Sequence, residues 1–197
     1  MKSIILASSS PRRKVLLRQL GLKFSVVNSG LDEKFNPRLR PRGQAEALSL
    51  QKAELVANKY RERGEGGVIV IAADTIVEIG GEVLGKPKDE REAKRMLNKL
   101  SGKAHSVITG FTIIDIDLNR VRTVSVETVV YFRRLSSREI GEFVKREKVV
   151  GDKAGAYAIQ GVGAIFIERI EGDYFNIVGL PLYELALELR KFGVEVL

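Results

Sequence analysis

The sequence predicts an α/β fold: a mixed, twisted sheet flanked by helices, forming one domain over residues 1–197 and divisible into two lobes. Three observations predict it. Short apolar runs such as "SIILA" (3–7) and "VIVIA" (68–72) read as buried strands. Helical segments with recognisable caps alternate with such strands along the whole chain. Two long strand-like runs, "HSVITGFTIIDID" and "RVRTVSVETVVYF", meet at Leu118-Asn119 as a hairpin.

The elements follow in order. After the strand at 3–7, "PRRKVLLRQLG" (11–21) is a helix, with Ser10 as N-cap, Pro11 at the first helical position and Gly21 as its stop. "FSVVN" (24–28) is a second strand, and a polar loop with Pro37 and Pro41 leads to a long helix over roughly 43–62. Along it Ala45, Leu48, Leu55 and Val56 form the apolar face. The strand at 68–72 precedes "TIVEIGGEVLG" (75–85), a hairpin turning at Gly80-Gly81. "DEREAKRMLNKLSG" (89–102) is helical, with acids first and Lys99 late, as the helix dipole favours. Beyond the long hairpin come a serine-capped helix (136–147), a strand (164–172) and a closing helix (180–193).

Composition excludes whole classes of chemistry. There are no cysteines and one histidine, His105, so thiolate and histidine-cluster metal sites are ruled out. Any metal must rest on oxygen ligands. No apolar run approaches the ~18 residues of a membrane span, and the start at Lys2 lacks a signal-peptide core, so a cytoplasmic protein is expected. The net charge of +8 is unevenly spread. Residues 1–63 hold 14 Lys+Arg and 5 Asp+Glu, a net +9, against −1 for the remainder. The asymmetry points to an anionic partner. Nucleic acid is the weaker candidate, because the basic residues are not interleaved with aromatics that would stack on bases. A phosphorylated small molecule needs only a few of these charges.

Four constellations fit such a ligand. In "ASSSPRR", Ser8, Ser9 and Ser10 offer hydroxyls at a helix N-terminus whose free N–H groups favour phosphate, and Arg12 and Arg13 add forked cations. A Walker loop it is not, since the glycines and the closing Gly-Lys-Ser/Thr are missing. Lys52 falls in the middle of the apolar face of the long helix, where an ammonium needs an anionic partner unless its stem snorkels to water. Asp74, expected at the C-terminal end of the strand at 68–72, sits where ligands of α/β sheets gather. There a carboxylate orients a metal or accepts a proton, although turn-forming aspartates are common at strand ends. Lys86, in "GKP", lies one hairpin away. In "DKAGAYAIQG" (152–161), small residues allow close backbone approach and Gln160 offers an amide to a base edge, while Asp152 and Lys153 can also be a plain salt bridge. His105 beside Ser106 suggests a base and a nucleophile, but nothing orients a third member, so a structural histidine is the better reading.

Taken together, "ASSSPRR", "AADTIV", "GKP", "SGKAHSVITG", "DKAGAYAIQG" and "VGLPL" resemble the Maf family of nucleoside triphosphate pyrophosphatases, in order from residue 3 to about 190. The resemblance implies a fold similar to that of inosine triphosphate pyrophosphatases, with a cleft between two lobes. It implies hydrolysis of a nucleoside triphosphate between the α- and β-phosphates, with a divalent metal, Mg²⁺ or Mn²⁺. By position it puts phosphate binding on Ser8, Ser10, Arg12 and Arg13, a metal-holding acid on Glu33, the helical lysine on Lys52, the proton-accepting aspartate on Asp74 and a further lysine on Lys86. Asp152 and Lys153 would line the same cleft; positions matching Arg12, Thr75 and Gln160 bear on substrate choice. That set, with "KAGAY", looks like the subgroup acting on dTTP and UTP. Ala158 stands where glycine is expected, and Gly151 precedes Asp152 without the expected proline. A homodimer is expected at the level of the family alone. The rival readings are a nucleic-acid-binding module and a non-catalytic nucleotide sensor.

Overall fold

The computed structural model describes residues 2–151 and 153–197. Its elements are β1 (Ser3–Leu6), α1 (Pro11–Gln19), β2 (Phe24–Val26), α2 (Pro41–Glu62), β3 (Val68–Ile79), β4 (Glu82–Leu84), α3 (Glu90–Leu100), β5 (Ala104–Asp115), β6 (Arg120–Phe132), α4 (Ser137–Glu147), β7 (Ile167–Glu171), α5 (Tyr174–Val178) and α6 (Leu182–Lys191). The sheet order is β2-β1-β3-β5-β6-β7, with β4 paired to β3. This is the mixed α/β architecture the sequence predicts. The chain divides into two compact units: the first is the chain up to Asp74 with Thr109–Val126 and Gly179–Leu197, the second Thr75–Ile108 with Glu127–Val178. No helix of the described residues is long and apolar enough to cross a membrane.

In the first unit β1 runs parallel to both β2 and β3, pairing Leu6 with Val26 and with Ile71. Parallel neighbours need crossovers, which α1 and α2 supply. Helix α1 starts as its sequence dictates: Pro11 occupies the first turn and the Ser10 hydroxyl accepts the Arg13 N–H at 3.4 Å. Helix α2 begins at Pro41, two residues before the expected 43, because proline's fixed φ suits the first helical position. Its buried residues include Ala45, Leu48, Ser49, Lys52, Ala53, Val56 and Ala57. Leu55, expected on this face, is 39% exposed. Seven residues after Leu48, it has drifted about 20° further from the centre of the stripe.

Strand β3 corrects a sequence expectation. The apolar run does not end near Ala72 with Asp74 at its tip; pairing continues unbroken to Ile79. The reason lies downstream. Val77, Glu78 and Ile79 pair with Leu84, Val83 and Glu82 around the Gly80-Gly81 turn, so the expected hairpin is an extension of the same strand. Val68, Val70 and Ala72 pack with Ile5 and Ala7 of β1 and with Ala53, Val56 and Ala57 of α2. Because side chains alternate along a strand, Asp74 continues that row on the face covered by α2.

Gly110, in β5, admits α2 this closely. A Cβ there would stand 2.5 Å from the Ala45 carbonyl carbon and 2.7 Å from the Glu46 nitrogen, both backbone atoms that cannot swing aside. Gly110→Ala is expected to destabilise the protein by about 1–3 kcal/mol or more, the usual range for overpacking, as a lowered urea midpoint.

The second unit packs α3 and α4 over a core that includes Leu97, Leu100, Val130, Phe132, Phe143, Tyr157 and Phe166. Asp89 caps α3, and Ser136 with Glu139 forms a full capping box on α4. The strand expected at 164–172 begins only at Ile167. Gly161–Phe166 is a 3-10 turn, wound so tightly that a Cβ on Gly163 would meet the Ala158 carbonyl oxygen at 2.4 Å. The closing helix expected at 180–193 is shorter, Leu182–Lys191, because Pro181 ends the extended approach to it.

Candidate active site

The first unit gathers most of the charged residues singled out by the sequence. Lys52 has its ammonium 2.6 Å from Glu33 Oε1 and 2.6 Å from Asp74 Oδ1. Lys52 and Asp74 are each 7% exposed. The lysine therefore does not snorkel to water; it is held between two carboxylates, as the cost of burying a lone charge requires. Glu33 comes from the irregular segment between β2 and α2, with its side chain 39% exposed. Gln44 of α2 anchors that segment: its Oε1 accepts the Asn36 N–H at 3.0 Å and its Nε2 donates to the Lys34 carbonyl at 3.3 Å.

Arg13 approaches the same cluster from α1. Its Nε donates to the Gly179 carbonyl at 2.8 Å. Burial pulls its guanidinium below the ordinary value, opposed by the attraction of Asp74 and Glu33. Burial likewise lifts the Asp74 carboxyl above the usual range, against the pull of Lys52 and Arg13. The serine loop leaves the sheet at this level. Ala7 donates to the Ile71 carbonyl at 2.7 Å, and β3 then runs three residues further to Asp74. Ser8 Oγ accepts the Ser10 N–H at 3.2 Å, and Ser10 Oγ caps α1. A hydroxyl that accepts still has its own proton to donate, so both serines keep a donor for an anion. Arg12 stands on the same first turn, partly buried.

The second unit holds the other residues. Gly155 N–H donates to the Gly85 carbonyl at 3.1 Å and Gly151 N–H to the Pro87 carbonyl at 2.9 Å, so "GKP" and the segment carrying Lys153 lie side by side. Lys86 is exposed, Thr75 and Lys153 are partly buried, and Gln160 is exposed at the head of the 3-10 turn. Asp152 lies outside the described residues.

His105 is a structural residue, as read from the sequence. Its Nε2 is 2.6 Å from the Tyr157 hydroxyl, and its ring packs edge-on against Phe132 and Tyr157. Ser106 donates instead to Glu127, so no base–nucleophile pair forms. Burial depresses His105 to about 4 from 6.5. The unfolded chain takes up that proton near 6.5, so stability from burying the neutral ring is complete above that pH and is lost as pH falls towards 4. Between pH 7 and pH 4 the wild type is expected to lose up to about 3 kcal/mol more than His105→Gln, by urea denaturation at each pH.

Among the described residues, no three His, Cys, Asp or Glu side chains form a group able to hold a metal by themselves. Glu33 and Asp74 form a pair of hard oxygen donors. Such a pair fits a Mg²⁺-like ion that completes its shell with waters and substrate phosphates, the usual arrangement for that ion.

The Maf-like protein family matches residues 3–192. This chain belongs to that family. Among its relatives, the dTTP/UTP pyrophosphatase of Alkaliphilus oremlandii (strain OhILAs) is 48% identical over 198 residues, covering 100% of each chain. The dTTP/UTP pyrophosphatase of Caldicellulosiruptor saccharolyticus is 45% identical over 197 residues, covering 100% of this chain and 98% of that one. A solved structure, that of the Staphylococcus aureus Ham1 protein, is 17% identical with a TM-score of 0.46, covering 66% of this chain and 72% of the other.

In this Maf protein two contributors escaped sequence reasoning. The Gly179 carbonyl fixes Arg13, and backbone oxygens carry no signal in residue identity; the "VGLPL" motif pointed to the segment but not to the bond. Gln44 is 2% exposed on a helix face that, Lys52 apart, is lined by small and apolar groups. A buried amide on such a face is the one cue that was available.

Proposed function

We propose that this protein is a nucleoside triphosphate pyrophosphatase converting dTTP and UTP to their monophosphates and pyrophosphate. The observation that carries this reading is the buried Lys52 ammonium shared between Glu33 and Asp74, beside Arg13 and a serine-rich helix start. Its Maf relatives, similar over their full length and named dTTP/UTP pyrophosphatase, support the substrate.

In the mechanism, Ser8, Ser10, Arg12 and Arg13 bind the phosphate oxygens. Glu33 and Asp74 would hold a divalent cation, which would supply further neutralisation of the triphosphate charge. In the nucleotide-free protein Lys52 holds Oδ1 of Asp74; with substrate bound, an oxygen of this carboxylate orients a water and takes its proton as the water's oxygen bonds to the α-phosphorus. The bond from that phosphorus to the bridging oxygen breaks, and pyrophosphate leaves with the bond's electron pair. Lys52 and the arginines stabilise the charge that builds on it, and the family resemblance gives Lys86 the same role. The raised affinity of Asp74 for protons suits a general base better than an ordinary carboxylate.

The family resemblance further gives substrate binding to Asp152 and Lys153, and substrate choice to Thr75 and Gln160. Gln160→Ala is expected to narrow the gap in kcat/KM between pyrimidine and purine triphosphates while sparing kcat for dTTP; an unchanged ratio excludes base reading by that amide. The single match over residues 3–192 supports treating both units as one functional domain. The proposed setting is the cytoplasm, and a homodimer is proposed on family grounds. The deciding experiment incubates the protein with a panel of nucleoside triphosphates and Mg²⁺ or Mn²⁺ and measures pyrophosphate against orthophosphate. Pyrophosphate from dTTP and UTP is expected. Orthophosphate, or neither product, overturns the reading.

A further inference from the structure

We infer that this enzyme does not hold its divalent cation in advance but receives it already bound to the triphosphate, because Lys52 occupies the cation's place in the nucleotide-free protein. The inference rests on the reading of Glu33 and Asp74 as the cation's ligands.

The geometry supplies the first reason. A Mg²⁺-like ion sits about 2.0–2.1 Å from its oxygens. Lys52 Nζ already lies 2.6 Å from one oxygen of each carboxylate. A cation bridging those same two oxygens would stand almost on top of the ammonium. Both Lys52 and Asp74 are buried, so water screens little of the resulting repulsion.

Charge supplies the second. Two carboxylates, Glu33 and Asp74, face two cations, Lys52 and Arg13, and each carboxylate is attracted to both cations. The cluster is neutral before any metal arrives, and Arg12 adjoins it. A bare divalent cation would turn it strongly positive. A metal–triphosphate complex carries net negative charge and is drawn in instead. Its phosphates give Lys52 and Arg13 new anionic partners, which frees the carboxylate oxygens for the metal. Glu33, on an irregular and partly exposed segment, exchanges partners at little cost, whereas Asp74 is built into β3. Lys52 thus works twice: as a placeholder cation in the resting enzyme and as a phosphate ligand once substrate is bound.

The test is the Mn²⁺ affinity of the whole protein, followed by the EPR signal of free Mn²⁺, with and without a dTTP analogue carrying a methylene group between its α- and β-phosphates. After subtraction of the Mn²⁺ that the analogue binds in protein-free solution, wild-type protein alone is expected to bind Mn²⁺ at least about tenfold more weakly than the protein–analogue complex does, a difference of about 1.4 kcal/mol. Lys52→Met, without analogue, is expected to bind Mn²⁺ at least about tenfold more tightly than wild type. Equal Mn²⁺ affinity of the wild type with and without analogue overturns the inference; if Glu33→Gln abolishes that binding, the ligand reading still stands. Analogue-dependent binding that neither Glu33→Gln nor Asp74→Asn weakens overturns the ligand reading itself, and the inference with it. Should Lys52→Met lose its native circular dichroism, the wild-type comparison decides alone.

Discussion

Asp74→Asn is expected to lower kcat for dTTP at least ~100-fold, the low end for loss of a general base, while leaving nucleotide binding measured without added metal within a few-fold. Asparagine keeps an oxygen for Lys52 and nearly the same volume, so α2 stays seated on β3. It cannot accept the water's proton. Calorimetric titration with the methylene analogue checks binding, and a single-turnover assay of pyrophosphate release checks chemistry. Near-normal turnover would remove Asp74 from its role. A parallel loss of binding would show that the carboxylate acts on affinity and not on the chemical step.

Lys52→Met should lower kcat/KM by about 100- to 1000-fold, the range found when one preorganised donor to a developing charge is removed. Its second effect is on pH. The ammonium is the strongest of the groups that hold Asp74's proton affinity down, acting through both charge and a hydrogen bond. Without it the Asp74 carboxyl rises further, so the acid limb of the kcat/KM profile moves to higher pH. Stability follows the same logic. Breaking a buried pair costs about 3–5 kcal/mol, and here the lower end is expected because Arg13 still attracts Asp74. Protonating Asp74 relieves that cost, so the deficit shrinks as pH falls. A variant whose pH profile overlays the wild type would break the link between Lys52 and the base.

Much of this architecture was legible because it depends on neighbours in the chain. Proline at the first turn of α1 and α2, serine and aspartate caps, and paired glycines at the β3–β4 turn act over a few residues. The same local stepping placed Lys52 on a buried face without any coordinates. Other segments take a conformation set by partners elsewhere in the chain. "AADTIVEI" reads as a strand end followed by a hairpin, but pairing with β4 makes it one continuous strand. "AIF" at 164–166 reads as strand, yet Gly161 and Gly163 wind it into a turn that delivers Phe166 to the aromatic core.

The site divides in the same way. The sequence by itself determined that a buried ammonium on α2 must find an anion, and that a helix opening with serines and arginines suits phosphate. Only the tertiary structure decided which anions: Asp74, because alternation along β3 puts it in the row facing α2, and Glu33, because Gln44 ties down its loop. It also decided that a glycine carbonyl, 166 residues away in the chain, fixes Arg13, and that His105 meets Tyr157 across 52 residues instead of its neighbour Ser106. Partners so distant in sequence are chosen by packing, since a side chain's own identity states which charge or hydrogen bond it needs but not which segment the fold will bring within reach.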